Sequence, residues 1–337
     1  PMDEERVLEG QTVLIRGDRI AAIGSAADIE IPDGAQEIDA QGRFLMPGFA
    51  ELHGHIPNPN EEPEYTENVL FLYLANGVTT VRGMLGQPGQ LELREQANTG
   101  QILSPALYLA GPPFTGNSVE GPGDAEQMVR EQAEAGWDYL KVLEGMSTDE
   151  YNAMVSTAQE VGIPFIGHVP NDVGLRRVLE AGQETIDHFD GYIQYLNGAE
   201  REVPEYELQA AVERTNGANV CVIPTMALWE TLMGTAQVEP LTEIDGLQYM
   251  PPALVSDWTE RQRERLKDVN ESRAKQIIDN RMRLLTAMNE GGACILFGTD
   301  APQQFSVPGF SIHREIERME GAGMTPYEIL VSGTRAV

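Results

Sequence analysis

Five histidines stand in this sequence, at positions 53, 55, 168, 188 and 313. Two of them lie one residue apart at the end of Pro47-Gly48-Phe49-Ala50-Glu51-Leu52-His53-Gly54-His55. Side chains on a strand alternate faces, so His53 and His55 present two imidazoles to one side and could grip a single cation. A lone His-x-His pair is weak evidence, and the weight falls on where the other polar residues sit. His168 ends the apolar run Phe165-Ile166-Gly167-His168-Val169, and His188 ends Thr185-Ile186-Asp187-His188-Phe189. Asp300 ends Leu296-Phe297-Gly298-Thr299-Asp300, and Lys141 lies inside Tyr139-Leu140-Lys141-Val142-Leu143. Neutral imidazoles with a carboxylate suit Zn²⁺ and similar borderline cations. Lys141 is the odd member, because an ammonium repels a metal. A buried lysine that gives up its proton can take up CO₂ and become a carbamate, which ligates like a carboxylate. The plainer alternative for Lys141 alone is an ion pair with an acid such as Glu144.

The elements that must carry these residues follow from the hydrophobic pattern. From Phe44 onward, strand-like runs alternate with helix-like segments, which is the pattern of βα units around a parallel sheet. Eight runs can be marked: 47–53, 78–83, 106–110, 139–143, 164–169, 184–189, 219–224 and 294–299. Helices are expected at 125–135, after the capping box Ser147-x-x-Glu150, at 174–181, and from about 253 to 290. Eight repeats in roughly 290 residues fit a (β/α)8 TIM barrel. An open doubly wound sheet is the other option, but no Gly-x-Gly-x-x-Gly turn follows the first strand. In a barrel the carboxyl ends of all strands meet at one mouth, so His53, His55, Lys141, His168, His188 and Asp300 would converge there.

Residues 1–45 read differently, as a small β module with strands at 12–15, 19–24 and 35–39 set off by turn signals such as Arg16-Gly17-Asp18. The expected division is therefore a β-sandwich module over 1–45 and a barrel domain over 46–337. The module looks partial, without the strands that would close it. The chain opens Pro1-Met2 and stops at Thr334-Arg335-Ala336-Val337, where a helix would still be running, so it reads as a fragment and its localisation stays open. The stretch 235–258, rich in proline, is expected to be a long irregular loop beside the seventh strand, either shaping a pocket or lying idle.

Composition removes several function classes. The formal net charge is −30, from 53 acidic and 23 basic residues, which argues against nucleic acid or an anionic membrane as partner. No run approaches the roughly 18 apolar residues of a membrane helix. Lysine occurs only at 141, 267 and 275, which makes a lysine within a barrel strand conspicuous. Cys221 and Cys294 form no disulfide framework or metal-type spacing, and core packing at the start of two adjacent strands is expected for both.

The set His-x-His, strand lysine, His, His and Asp on strands one, four, five, six and eight resembles the amidohydrolase superfamily in its binuclear, carboxylated-lysine form. The approach Leu45-Met46-Pro47-Gly48-Phe49-Ala50-Glu51-Leu52-His53-Gly54-His55 and the β-rich start are similar to that family too. Within it, Asn76-Gly77-Val78-Thr79-Thr80-Val81-Arg82, Ile166-Gly167-His168-Val169 and Pro224-Thr225 resemble the imidazolonepropionase-related and prolidase-like enzymes, which hydrolyse dipeptides or N-acyl amino acids. The resemblance implies two divalent metal ions, zinc foremost. One would be held by His53, His55 and Asp300, the other by His168 and His188, with N6-carboxylated Lys141 and a hydroxide bridging them. Asp300 would act as general acid and base for hydrolysis of a small amide or peptide substrate. A lactonase, esterase or phosphotriesterase on the same centre, or a non-catalytic barrel scaffold, are the rival readings; self-association is left open. Three further residues were weighed for substrate binding: Tyr192 as a donor to an oxyanion, Arg82 as a carboxylate ligand, and His313 near the eighth strand. Each has a structural alternative, respectively packing, an ion pair and a helix-start hydrogen bond.

Overall fold

Two antiparallel strands open the computed structural model, which describes residues 2–336. Strand β1 (Gln11–Arg16) pairs with β2 (Arg19–Ser25) in a register that sets Arg16 opposite Arg19. The two-residue connection needs a positive φ, which Gly17 supplies at +62°. The chain divides into two units, one up to Pro47 and one from Gly48 onward. The strand expected at 35–39 does not form: the segment has no ladder partner among the described residues, and Ile38 is 84% exposed. Without a partner the backbone groups are better solvated than extended and unpaired.

The second unit has a TIM-barrel-like α/β arrangement. Strands β3 (Phe49–Gly54), β4 (Val78–Gly83) and β5 (Ala106–Leu109) form one parallel sheet. Strands β6 (Leu140–Val142), β7 (Phe165–Gly167), β8 (Thr185–Asp187) and β9 (Cys221–Ile223) form a second. Parallel bridges Ala110–Tyr139 and Phe114–Val142 link the two sheets. β3 is buried along its whole length, as a strand covered on both faces must be.

The eighth run, expected at 294–299, is a bridge rather than a strand. Ile295 pairs with Val222, Phe297 accepts from the Leu52 N–H at 3.0 Å, and the Asp300 N–H donates to the His53 carbonyl at 2.8 Å. Gly298 explains the close fit. A Cβ there would lie 2.9 Å from His53 Cβ and 2.7 Å from Ile223 Cγ2, so only glycine lets the segment lie against β3 and β9.

The helices follow the expected caps. Ser147 accepts from the Glu150 N–H and Glu150 returns a bond to the Ser147 N–H, starting a helix over Thr148–Val161 that Gly162 ends at φ +77°. The helix foreseen from 125 begins one turn earlier, over Pro122–Ala135, with proline in its first turn where a missing N–H costs nothing. The 253–290 segment is two helices, Pro252–Asp268 and Glu271–Glu290. Val269 is extended and Asn270 caps the second helix by accepting from the Arg273 N–H. The stretch 235–258 is not irregular: it carries a short helix, Val238–Thr242, and a 3-10 turn, Leu247–Tyr249. Leu241, Leu247, Met250 and Trp258 pack there with Leu72, Phe305 and Val307, and that apolar contact orders it. The last helix, Pro326–Ser332, gives way to turns over 333–336, so it is not still running at Thr334; Pro1 and Val337 lie outside the described residues.

Cys221 and Cys294 are joined by a disulfide, with Cα atoms 4.5 Å apart. Core packing of two free thiols was the expectation. The Val222–Ile295 bridge instead brings their neighbours side by side, within the range a disulfide spans.

Candidate metal centre

Glu51, His53 and His55 stand at i, i+2 and i+4 at the end of β3, and the strand's alternation points all three one way. Glu51 is fully buried and belongs to the scaffold: its carboxylate accepts from the His53 N–H at 3.1 Å, the Thr299 N–H at 2.8 Å and the Thr299 hydroxyl at 2.5 Å. It thus ties the residue before Asp300 to the strand that carries both histidines. Burial pushes its pKa up to about 8, against the lowering effect of the bonds from Thr299 and His53.

Around this tie the strand ends converge. The His53 ring centroid lies 4.4 Å from His188 and 5.7 Å from His55, and His168 lies 4.9 Å from His188. Asp300 reaches three of them: its Oδ1 is 2.6 Å from His55 Nε2 and 3.6 Å from His53 Nε2, and its Oδ2 is 3.4 Å from His188 Nε2. His53, His188 and Asp300 can each turn one ligand atom into a space where these atoms lie within 4.8 Å of one another. The backbone bends to do this. His188 and Asp300 adopt φ of +59° and +63°, left-handed values that a non-glycine residue holds at a cost of about 1–3 kcal/mol.

Lys141 is buried and donates to Asp187 Oδ2 at 2.7 Å, so its partner is Asp187 and not Glu144, which accepts from Asn171 instead. The same Oδ2 is 3.2 Å from His53 Nδ1. His168 turns Nδ1 to Asp190 Oδ2 at 2.6 Å, and His188 Nδ1 sits 2.6 Å from the Thr225 hydroxyl. His168 and His188 are therefore each oriented by an outer partner, as metal-ligating histidines usually are.

The electrostatics keep His53 and His188 neutral and Asp187 and Asp300 ionised. Burial pulls His53 down to about 4, outweighing the upward pull of Asp300. Burial likewise lowers His188, helped by the charge of His53. For Asp187 and Asp300 burial works to raise the pKa, but Lys141 and His53 hold Asp187 well below the usual range, and His53 and His55 do the same for Asp300. Neutral imidazole and ionised carboxylate are the forms that bind a cation. Two buried atoms, His53 Nδ1 and Asp300 Oδ1, have close neighbours but no aligned hydrogen bond. Such orphans are costly in a closed protein interior, and a cation at Asp300 Oδ1, on the side His53 faces with Nε2, would satisfy the carboxylate. The donor set thus fits a divalent metal.

The three residues weighed for substrate binding are placed elsewhere. Tyr192 is fully buried, with its hydroxyl 2.6 Å from Thr215 and its ring edge-on to Phe189, so it packs and does not face a substrate. Arg82 is buried, donating to the Leu52 carbonyl at 2.9 Å and the Thr185 hydroxyl at 3.1 Å, with its guanidinium over the Tyr139 ring. It is a cross-brace inside the barrel, bound by a carbonyl and a hydroxyl where an ion pair was anticipated. His313 is exposed on the helix Ser311–Gly321.

Asp187, Asp190 and Thr225 escaped the sequence reading. Strict alternation puts Asp187 and His188 on opposite faces of a strand, and only the left-handed turn at His188 lets both point inward. Acids flanking a histidine in Asp187-His188-Phe189-Asp190 were the available signal.

A TIM-barrel-like α/β protein with histidines and carboxylates gathered at its strand ends is the class that fold and site define. The amidohydrolase family model matches residues 44–335, and the chain belongs to that family. Imidazolonepropionase from Paenarthrobacter aurescens is 43% identical over 53 residues, 16% of this chain and 12% of that protein. Bottromycin amidohydrolase superposes with a TM-score of 0.68 at 25% identity, covering 86% of this chain and 66% of that one. A Xaa-Pro dipeptidase with methionine in its active site superposes at 0.72 with 19% identity, covering 99% and 84%. Matches to curated relatives span between 12% and 30% of those proteins' lengths.

Proposed function

We propose that this chain is a metal-dependent hydrolase of amide bonds on a (β/α)8 barrel, acting on dipeptides or N-acyl amino acids. The observation that carries this is the buried group His53, His188 and Asp300, whose ligand atoms come within 4.8 Å while Asp300 Oδ1 lacks an aligned partner. His53, His55 and Asp300 would hold one cation, zinc foremost, and His168 and His188 a second. Divalent cations in such sites lower the pKa of water towards neutrality and polarise a scissile carbonyl. Asp300, kept ionised, accepts the proton of the attacking water and delivers it to the leaving nitrogen. His53 and His188, kept neutral by burial, supply lone pairs and do not compete for that proton. The likeness in fold to a Xaa-Pro dipeptidase and a bottromycin amidohydrolase supports peptide-like substrates over lactones or organophosphates.

The Lys141–Asp187 pair favours a second reading of the same site. A lysine 2.7 Å from a carboxylate is an ammonium, and carboxylating it in place would set two anions against each other. In the binuclear reading Asp187 must give up this contact for carboxylated Lys141 to bridge two metals. In the mononuclear reading Lys141 stays paired to Asp187, and a single cation would sit on His53, His188 and Asp300. Zinc per chain, measured on protein grown with zinc and bicarbonate and on Lys141→Ala, separates them. Two zinc ions falling sharply in the variant support the bridged centre; one, unaffected, supports the mononuclear one. No zinc in either, with no hydrolysis of a dipeptide panel, sinks the hydrolase.

A further inference from the structure

Glu315 was not among the expected site residues, yet it is fully buried on the helix Ser311–Gly321. Its two carboxylate oxygens accept from the backbone N–H groups of Met226 and Ala227, at 2.8 and 2.9 Å. These are the first two residues of the short helix Met226–Leu232 that follows β9. The residue before them, Thr225, is a β-branched side chain held at φ +43°, a conformation it avoids unless its surroundings enforce it. Thr225 does not cap this helix with its own side chain. Its hydroxyl lies 2.6 Å from His188 Nδ1. The same outer helix adds two more grips on the short one: Arg318 pairs with Glu230 at 2.8 Å, and Arg314 donates to the Ala227 carbonyl at 3.4 Å.

We propose that Glu315 is a positioning residue for His188: by binding the N–H groups of Met226 and Ala227 it fixes the left-handed turn at Thr225, whose hydroxyl then holds His188 Nδ1. With Nδ1–H donating to Thr225, the Nε2 lone pair faces Asp300, the arrangement in which the imidazole serves as a ligand. The value of the relay to zinc rests on the reading above that His188 is a metal ligand. The state of the ring does not, and this keeps the two ideas separately testable.

The experiment uses the whole chain without added metal, with ¹⁵N-detected imidazole spectra reporting the tautomer of His188, followed by zinc titration against a chelator. In the wild type His188 shows a single tautomer. Thr225→Val and Glu315→Ala should both shift the ring to a mixture of tautomers and weaken zinc binding by about 10- to 100-fold. Thr225→Ser keeps a hydroxyl and should restore both readouts. Glu315→Gln keeps one acceptor oxygen and should fall between, and it stands in for Glu315→Ala if that variant does not fold. A folded Glu315→Ala or Glu315→Gln with the His188 spectrum of the wild type would overturn the proposal, as would Thr225→Ser behaving like Thr225→Val. Wild-type protein that binds no zinc would overturn the metal-centre reading, while the ring spectra still decide the relay.

Discussion

The two ends of the barrel-like unit are built on opposite rules. At the carboxyl ends of the strands, five buried or part-buried ionisable side chains from β3, β6, β8 and the segment after Gly298 crowd around His53, and His188 and Asp300 sit in left-handed backbone. At the other end, Cys221 opens β9 and a disulfide ties it to Cys294, and Ala50, near the start of β3, joins an apolar cluster that runs on through Leu52, Ile223 and Leu296. One end accumulates strain and unpaired polar atoms, while the other has covalent and hydrophobic restraint. The contrast says where substitutions should cost activity and where they should cost only stability.

The largest effect belongs to the mouth. Asp300→Asn keeps the size of the side chain but removes the carboxylate proposed to take and return the proton. Turnover should fall about 10²- to 10⁴-fold with the fold intact, as judged by kcat on the best substrate of a dipeptide screen and by circular dichroism. A variant with wild-type kcat would end the assignment of Asp300. Asp187→Asn strikes the same end through electrostatics, because it strands the Lys141 ammonium in a dry interior. Breaking a buried pair from one side costs roughly 3–5 kcal/mol, which urea unfolding would read. Changing Lys141 to Met in the same protein should recover much of that loss, since it removes the orphaned charge. If the double variant is no more stable than the single one, Lys141 was not an ammonium paired to Asp187.

The base should respond in stability alone. Removing the crosslink with Cys221→Ser frees a loop between residues 73 apart in sequence, and loops of that size lose about 2–5 kcal/mol. Activity per folded molecule should not change, because no site residue moves. A drop in kcat with full folding would show that the two ends are mechanically coupled, and the contrast drawn above would fail.

Much of this contrast was legible in the sequence. The alternation of apolar runs and helices located seven parallel strands, and Ser147-x-x-Glu150 marked a helix start, because hydrophobic period and capping are local rules. Of the six residues singled out for a metal site, five fall at or just after the predicted strand ends and Lys141 lies within its strand, and the structure brings His53, His188 and Asp300 together. What escaped was non-local. Lys141 finds Asp187 across 46 residues, and Tyr192 finds Thr215 across 23, choices that only packing makes. The eighth run failed as a strand because Gly298 lets it lie against β3 through separate hydrogen bonds, a fit that no propensity reports. The disulfide was missed although both cysteines were placed at the start of neighbouring runs, because only the Cα separation of 4.5 Å decides between a bond and two packed thiols.

The smallest effect tests whether Glu315 belongs with the mouth or with the scaffold. Burial, with a smaller push from Glu230 on the short helix, raises the pKa of Glu315 to about 7 from the ordinary carboxylate value of about 4.5, against the lowering effect of the Ala227 and Met226 N–H groups and of Arg318 on its own helix. Between these values the folded chain keeps a proton that the unfolded chain releases. The contribution is therefore full below about 4.5 and is lost as pH rises through about 7, so stability declines with pH across this window. The total is at most roughly 3.5 kcal/mol, from about 1.4 kcal/mol per pH unit. Glu315→Gln cannot titrate, and its stability should run flatter over pH 4.5–7 than the wild type in parallel urea titrations. Taking the difference between the two proteins cancels the titration of the histidines, which the variant leaves in place. If the two curves stay parallel, Glu315 is ionised throughout and holds the Met226 and Ala227 N–H groups as a permanent anion. A steeper wild-type curve means that part of the grip on the Thr225 turn, and with it on His188, depends on protonation in the range where a hydrolase of this kind would work.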